Sequence, residues 1–370
     1  MIRTAFFQNK ESFPLEALRS WFLEYKRSFP WREAPTPYHV WVSEVMLQQT
    51  RAEVVVPYFL KWMEKFPSIQ ALAEAEESEV IRLWEGLGYY SRARSLLEGA
   101  RVITRFFQGK IPQDPDLLVS IKGIGPYTAN AILAFAFKQK KAAVDGNVLR
   151  VMSRLFAIDQ SIDSIKTRQK ITKMCEGLLP EKEPHVIAEA FIELGAKLCK
   201  RQPICTQCPL NSFCQAYQKG MMTQYPIRKK RYDNTVLDRA VVIIMSKDRV
   251  LMKKRDEKEI MAGLYEFPYY QLSKEDCLNI ERITELARGD FGESLSFVQK
   301  LPSQKQVFTR YRVLLFPYIF RIEAFSSEQE SYLLEDLPNL PSSSGHRRIK
   351  EVFLSEYRKF AEGIANYERK

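Results

Sequence analysis

The 370-residue chain has no apolar run approaching the roughly 20 residues a membrane helix needs, which excludes a helical membrane protein. It shows no internal repeat and no low-complexity tract, so a repeat array is excluded as well. A spread of cysteines is also missing. Four of the six lie between Cys199 and Cys214, which argues against a disulfide framework and for a metal site. Nor is there room for a leader: MIRTAFFQNKESFPLEALRSWF passes almost directly into a helical pattern, and a cytoplasmic protein is expected. What the chain does have is positive charge. Its formal net charge of +11 favours a polyanionic partner, although many soluble basic proteins share it. The length predicts two or three domains.

The first half reads as helices. Leu15, Leu18, Trp21, Phe22 and Tyr25 fall at helical spacing, and Pro35-Thr36-Pro37 then stops the chain and caps a helix over YHVWVSEVMLQQT. Glu44 lies inside that apolar helix with Gln48 one turn later. A carboxylate there is protonated, paired or lining a cleft, and the plain alternative is a salt-bridged glutamate at the helix edge. Further helices are expected over residues 55–66, 72–75, 78–84 and 93–107, broken by the turn Gly86-Leu87-Gly88-Tyr89-Tyr90. An aromatic pair on such a turn either stacks with a base or plugs a core. LLVSIKGIGPYTANAILAFAFKQKKAAVDGNVLR, residues 117–150, predicts helix, tight turn and helix, then an extended run and a third helix opened by Asp145 at the N-cap position. Gly123 and Gly125 suit close approach to a phosphate, or simply an αα-hairpin.

Cys199, Cys205, Cys208 and Cys214 follow the spacing C-x5-C-x2-C-x5-C, a set that holds zinc or an iron–sulfur cluster. Cys175 and Cys277 read as packed core residues. Residues 219–235, with the run Arg228 to Arg231, form a basic linker suited to phosphate contact. Beyond it the period becomes strand-like in AVVIIM, RVLMKKR, LYEFPYY and QVFTRYRVLLFPYIFRIEA. Helices are expected over 274–288 and 345–367, giving an α+β half.

Taken together and in this order, FPWR, VWVSEVMLQQT, WEGLGYYSRARSL, IKGIGPYTANAI, VDGNVLRV and the cysteine loop resemble the MutY adenine DNA glycosylases of the endonuclease III (helix-hairpin-helix) superfamily. The resemblance implies an all-α helix-hairpin-helix glycosylase domain over 1–218, the linker 219–235, and an α+β Nudix-like lesion-recognition domain over 236–370. It implies excision of adenine opposite 8-oxoguanine or guanine in double-stranded DNA, by a monomer carrying one [4Fe–4S] cluster on the four cysteines. Glu44 then protonates adenine N7 of an everted nucleotide, Asp145 stabilises the oxocarbenium-like sugar, and Tyr127 and Asn147 orient the pair. By the same resemblance Trp31, Arg32, Leu47 and Glu189 shape the adenine pocket. Gln49, Leu87 and Tyr89 probe the space around the oxidised guanine, and the hairpin around Val119, Ile121 and Ile124 holds a monovalent cation and a phosphate.

Bifunctional relatives carry a lysine where this chain has Tyr127, and a phenol forms no imine, so a mainly monofunctional enzyme is expected, with Lys122 the nearby amine. EDCLNIERITELARGDFG lacks the carboxylate array of a Nudix hydrolase. Two departures from the family stand out. KRQPI puts five residues, not six, between the first two cluster cysteines. Gln306-Val307-Phe308-Thr309-Arg310 keeps Phe308 and a hydroxyl at Thr309 for lesion contact but has Arg310 in place of histidine. The latter predicts weaker discrimination of 8-oxoguanine from guanine. The competing readings are an endonuclease III-like glycosylase/lyase for oxidised pyrimidines and a non-enzymatic, cluster-bearing DNA-binding protein.

Overall fold

A computed structural model describes residues 12–229, 235–256, 259, 261–308, 311–326 and 329–367, without the side chains of 308 and 358–367. The chain divides into two compact units. One comprises Met1–Glu76 and Arg94–Arg231; the other comprises Glu77–Ala93 and Tyr232–Lys370. Among the described residues no helix is long and apolar enough to cross a membrane.

Helices dominate the first half. In chain order they are α1 (Leu15–Tyr25), α2 (Pro30–Glu33), α3 (Pro37–Leu47), α4 (Ala52–Lys65), α5 (Ile69–Ala73), α6 (Glu77–Leu83) and α7 (Ser91–Phe107). There follow α8 (Pro115–Ser120), α9 (Pro126–Ala131), α10 (Gly146–Leu155), α11 (Ile165–Leu178), α12 (Pro184–Lys197) and α13 (Gln215–Gln218). Thr36 caps α3 by accepting from the His39 N–H at 3.1 Å, and Pro37 occupies the first turn, where its missing N–H costs nothing. Tyr38, Trp41, Val42, Val45 and Met46 of α3 are buried. The Tyr38 hydroxyl donates to the Phe66 carbonyl at 2.9 Å and accepts from Trp62 Nε1 at 3.1 Å, which ties α3 to the end of α4. A polar link of that kind, fully satisfied inside an aromatic core, fixes the helix rotationally as well as axially.

The turn between α8 and α9 has Gly123 at φ +88, and a Cβ there would sit 2.9 Å from Ser95 Cβ. Gly123 is therefore required both by conformation and by the approach of α7. Gly125, at φ −83 with open space around it, needs neither. After Ala131 the helix relaxes into a π turn over Ile132–Ala136, which the sequence pattern did not signal.

The second unit holds a mixed seven-stranded sheet. Its strands are β1 (Thr235–Ser246), β2 (Arg249–Leu251), β5 (Tyr269–Leu272), β6 (Ser296–Lys300), β7 (Gln304–Phe308), β8 (Tyr311–Arg321) and β9 (Ser331–Leu333). A separate pair is formed by β3 (Lys253–Lys254) and β4 (Tyr265–Glu266). β1 and β8 run parallel over eleven registered positions, from Thr235↔Tyr311 to Met245↔Arg321. Alternation along β1 serves two cores. Val241, Ile243 and Met245 pack with Ile349 and Phe353 of helix α15 (Ser344–Tyr367), while Ala240, Val242 and Ile244 pack with Ile283 and Ala287 of helix α14 (Ile280–Phe291). The long β run expected over 306–324 is two antiparallel strands, β7 and β8. The helix expected from residue 274 starts only at Ile280, where the Asn279 side chain accepts from the Arg282 N–H at 3.0 Å.

Candidate active site

A cleft of about 950 Å³ opens in the first unit, and Glu44, Tyr127, Asp145 and Asn147 all line it. Glu44 comes from the buried face of α3 and is 8% exposed. Its partner is a phenol rather than a cation at the helix edge: Tyr127, from the first turn of α9, donates to Glu44 Oε2 at 2.7 Å. Burial pushes the Glu44 carboxyl up from 4.5 to about 7, the Tyr127 hydrogen bond pulls it back, and the Asp145 charge adds to the rise. Burial and the two facing carboxyls likewise hold the Tyr127 phenol well above its ordinary range, so it remains a neutral donor.

Asp145 caps α10. Its Oδ1 accepts from the Asn147 and Val148 N–H groups at 2.9 and 2.8 Å, and its Oδ2 accepts from Asn147 Nδ2 at 2.7 Å. Burial raises its pKa from the ordinary value even so, with the Val148 and Asn147 hydrogen bonds opposing the rise. Three donors stabilise the Asp145 anion and one phenol supports Glu44. A proton shared between two such carboxyls therefore favours Glu44. Asn147 is held in turn by Arg150, whose Nη2 donates to Asn147 Oδ1 at 2.8 Å and to the Gly195 carbonyl at 2.9 Å.

Trp31, Arg32, Leu47, Gln49 and Glu189 line the same cleft. Arg32 pairs through Nε with Glu189 at 3.1 Å and through Nη1 with Glu193 at 3.0 Å. Sequence reasoning missed Glu193. Its side chain is fully buried and also binds Arg27 Nε at 2.6 Å. Burial pushes it up, but the hydrogen bonds and charges of Arg27 and Arg32 outweigh that and hold it below the usual carboxylate range. The only sequence signal was a glutamate one turn beyond Glu189 on an otherwise apolar helix. Phe29 lies flat against Trp31 at 4.9 Å and carries both guanidiniums, Arg27 at 5.0 Å and Arg32 at 5.3 Å from its centroid.

Other expected residues lie elsewhere. Lys122 is ion-paired with Glu98 rather than lining the cleft. Gly123 and Gly125 form the hairpin turn without joining the cleft wall. Leu87 and Tyr89 belong to the second unit, where Leu87 is buried and Tyr89 is 43% exposed at φ +50. Phe308 ends β7, with its side chain outside the described residues, as are Thr309, Arg310 and the Arg231 end of the basic run.

Cys199, Cys205, Cys208 and Cys214 ring one small cavity together with Arg154, Leu194 and Met222, and none is in a disulfide. Arg154 Nη1 donates to Cys199 Sγ at 3.2 Å and to the Lys200 carbonyl at 2.6 Å. Burial raises the Cys208 thiol to about 12, with the Leu210 N–H opposing the rise and the other three thiols adding to it. Among the described residues no three His, Cys, Asp or Glu side chains are grouped closely enough for a single metal ion. Arg150 Nε donates to the Cys199 carbonyl at 2.7 Å, so this one α10 side chain links Asn147 of the cleft to the first residue of the cysteine loop.

The helical unit and its hairpin are of the helix-hairpin-helix type. Residues 42–177 match the family described as HhH-GPD superfamily base excision DNA repair protein, and residues 239–352 match a NUDIX domain. The helical fold is shared with a thermostable thymine-DNA glycosylase, with TM-score 0.53 and 25% identity over 57% of this chain and 98% of that one. The chain is 34% identical to an adenine DNA glycosylase of Arabidopsis thaliana over 74% of its own length and 50% of the relative. It is 32% identical to that of Schizosaccharomyces pombe over 78% of its own length and 77% of the relative. It spans about half the length, or less, of the plant and mammalian relatives it matches. The chain belongs to the adenine DNA glycosylase family.

Proposed function

We propose that this chain excises adenine mispaired with 8-oxoguanine or guanine by acid-assisted hydrolysis of the N-glycosidic bond. The observation that carries the reading is the convergence of Glu44 and Asp145 on one cleft, with the Tyr127 phenol donating to Glu44. An adenine in a duplex is out of reach, so the nucleotide rotates out at an unstacking cost of about a few kcal/mol. Neutral Glu44 gives its proton to adenine N7. The C1′–N9 electron pair leaves with the base, and the cation left on the sugar is met by the Asp145 carboxylate. Water adds at C1′ and its proton returns to Glu44, regenerating the acid. Tyr127 holds Glu44 in line throughout, and Arg32 and Glu189 offer donor and acceptor groups to the everted base. Without a lysine at position 127 the chain makes no Schiff base there, which supports base removal without strand cutting.

The cysteine loop fits one [4Fe–4S] cluster: four free thiols face one cavity, and backbone N–H groups of Leu210, Ala216 and Tyr217 approach the sulfurs of Cys208 and Cys214. Such a cluster cross-links the loop and adds a redox-capable centre when bound. The boundaries 1–218, 219–235 and 236–370 are proposed for the glycosylase domain, linker and lesion-recognition domain.

The test is a panel of duplexes carrying A opposite 8-oxoguanine, A opposite G, or oxidised pyrimidines, analysed with and without alkali. Abasic product from the adenine duplexes, nicked only by alkali, is expected. Prompt nicking of the oxidised-pyrimidine duplexes contradicts the reading.

A further inference from the structure

The turn that presents Tyr89 is held from several sides. Trp84 Nε1 donates to the Gly88 carbonyl at 3.0 Å, and Arg92 Nη2 donates to the Leu87 and Gly88 carbonyls at 3.1 and 3.0 Å. The Arg92 guanidinium also lies over the Trp84 and Tyr89 rings, at 5.2 and 5.5 Å from their centroids. Tyr89 itself sits in the left-handed region, a conformation a tyrosine keeps only when its surroundings enforce it. The residue beside it leads elsewhere in the same unit. The buried Tyr90 hydroxyl donates to the Ser342 carbonyl at 3.2 Å, and the Ser342 N–H returns to Glu85 Oε1 at 3.4 Å.

Ser342 belongs to a short extended segment that is itself pinned. The Tyr265 N–H donates to the Pro341 carbonyl at 2.8 Å, and Lys350, 3% exposed, donates to the Leu337 and Leu340 carbonyls. The next residue continues the chain of contacts. Ser343 Oγ donates to Gln306 Oε1 at 3.1 Å, and Gln306 is a buried residue of β7, two positions before Phe308. Gly345 allows this approach: a Cβ there would lie 2.6 Å from Leu315 Cδ1 and closer still to the Gln306 amide oxygen. One five-residue stretch, 341–345, thus holds the Tyr89 turn on one side and strand β7, which ends at Phe308, on the other.

We propose that the Pro341–Gly345 segment is a positioning device for lesion discrimination, setting the Leu87–Tyr89 turn and the end of β7 at a fixed spacing through Tyr90, Ser342, Ser343 and Gln306. This rests on the glycosylase reading above. None of the four residues meets substrate; each acts through a lesion-contacting neighbour. A neutral hydrogen bond of this kind is worth about 1 kcal/mol, and its removal relaxes the spacing without opening the core.

Single-turnover excision of A opposite 8-oxoguanine and A opposite G is measured for the full-length protein, Tyr90→Phe, Ser343→Ala and Ser343→Thr. The ratio of the two rates is the readout, because loss of folded protein lowers both rates together. Tyr90→Phe and Ser343→Ala are expected to lower the preference for 8-oxoguanine roughly three- to tenfold with the A:G rate unchanged, and Ser343→Thr to restore it. A ratio unchanged in both deletions, or parallel loss on both duplexes, overturns the proposal. Adenine excision by the unaltered protein with equal rates on the two duplexes overturns this proposal alone, whereas no excision at all overturns the glycosylase reading beneath it.

Discussion

Glu44 costs the fold stability in order to be useful. In the unfolded chain its carboxyl ionises at the ordinary 4.5, whereas in the cleft burial holds it near 7. Below the first value both states are neutral there and no penalty exists. Between about 4.5 and about 7 the unfolded state has released the proton and the folded state has kept it, so stability falls as pH rises and levels off above 7. Glu44→Gln removes the titration and keeps an acceptor for Tyr127. It is therefore expected to be more stable than the unaltered protein at pH 8 by up to ~3 kcal/mol, with the gap closing toward pH 4.5. Urea unfolding at the two pH values checks this. Glu44 and Asp145 were legible because each stands out against its surroundings, an acid in an apolar helix and an aspartate where a cap belongs, whereas Tyr127 and Asn147 entered only through the family resemblance. Glu193 was not, because its meaning comes from Arg27 and Arg32, distant in sequence and adjacent only in space.

At the scale of the element, the hairpin between α8 and α9 decides where Tyr127 points. Gly123→Ala is expected to lower stability by about 1–3 kcal/mol, from its positive φ and the nearby Ser95, whereas Gly125→Ala should be near neutral. Chemical denaturation of the two variants separates them, and equal losses would mean that the turn geometry is misread. Helices were legible wherever a cap and an apolar stripe agreed, as for α3 and α10. Boundaries failed where local chemistry intervened: Asn279 delays α14, and the division into antiparallel β7 and β8 is hidden within a continuous β-rich run. The π turn after Ala131 carries no composition signal at all.

The whole molecule joins a basic helical unit to a sheet unit, and the order of motifs along the chain announced both. The contact pattern adds something that order alone did not: residues 77–93, early in the chain, group with the C-terminal sheet. The cysteine loop acts at this scale, because Arg150 and Arg154 of α10 bind it from the same helix that Asp145 caps. Cys208→Ala is expected to lose most of its bound iron and to melt at lower temperature than the unaltered protein, measured by iron analysis and thermal unfolding. Full retention of iron would contradict a cluster on these four thiols.

The claim on which all of this depends is that a neutral Glu44 faces an anionic Asp145 across the sugar of the everted nucleotide. The most direct test is the pH dependence of single-turnover excision of adenine opposite 8-oxoguanine between pH 5 and 9, for the unaltered protein, Glu44→Gln and Asp145→Asn. The rate of the unaltered protein is predicted to fall as pH rises through the Glu44 ionisation, toward tenfold per unit, with both variants nearly inactive. A flat alkaline profile, or a Glu44→Gln variant that still excises adenine at the full rate, would contradict it.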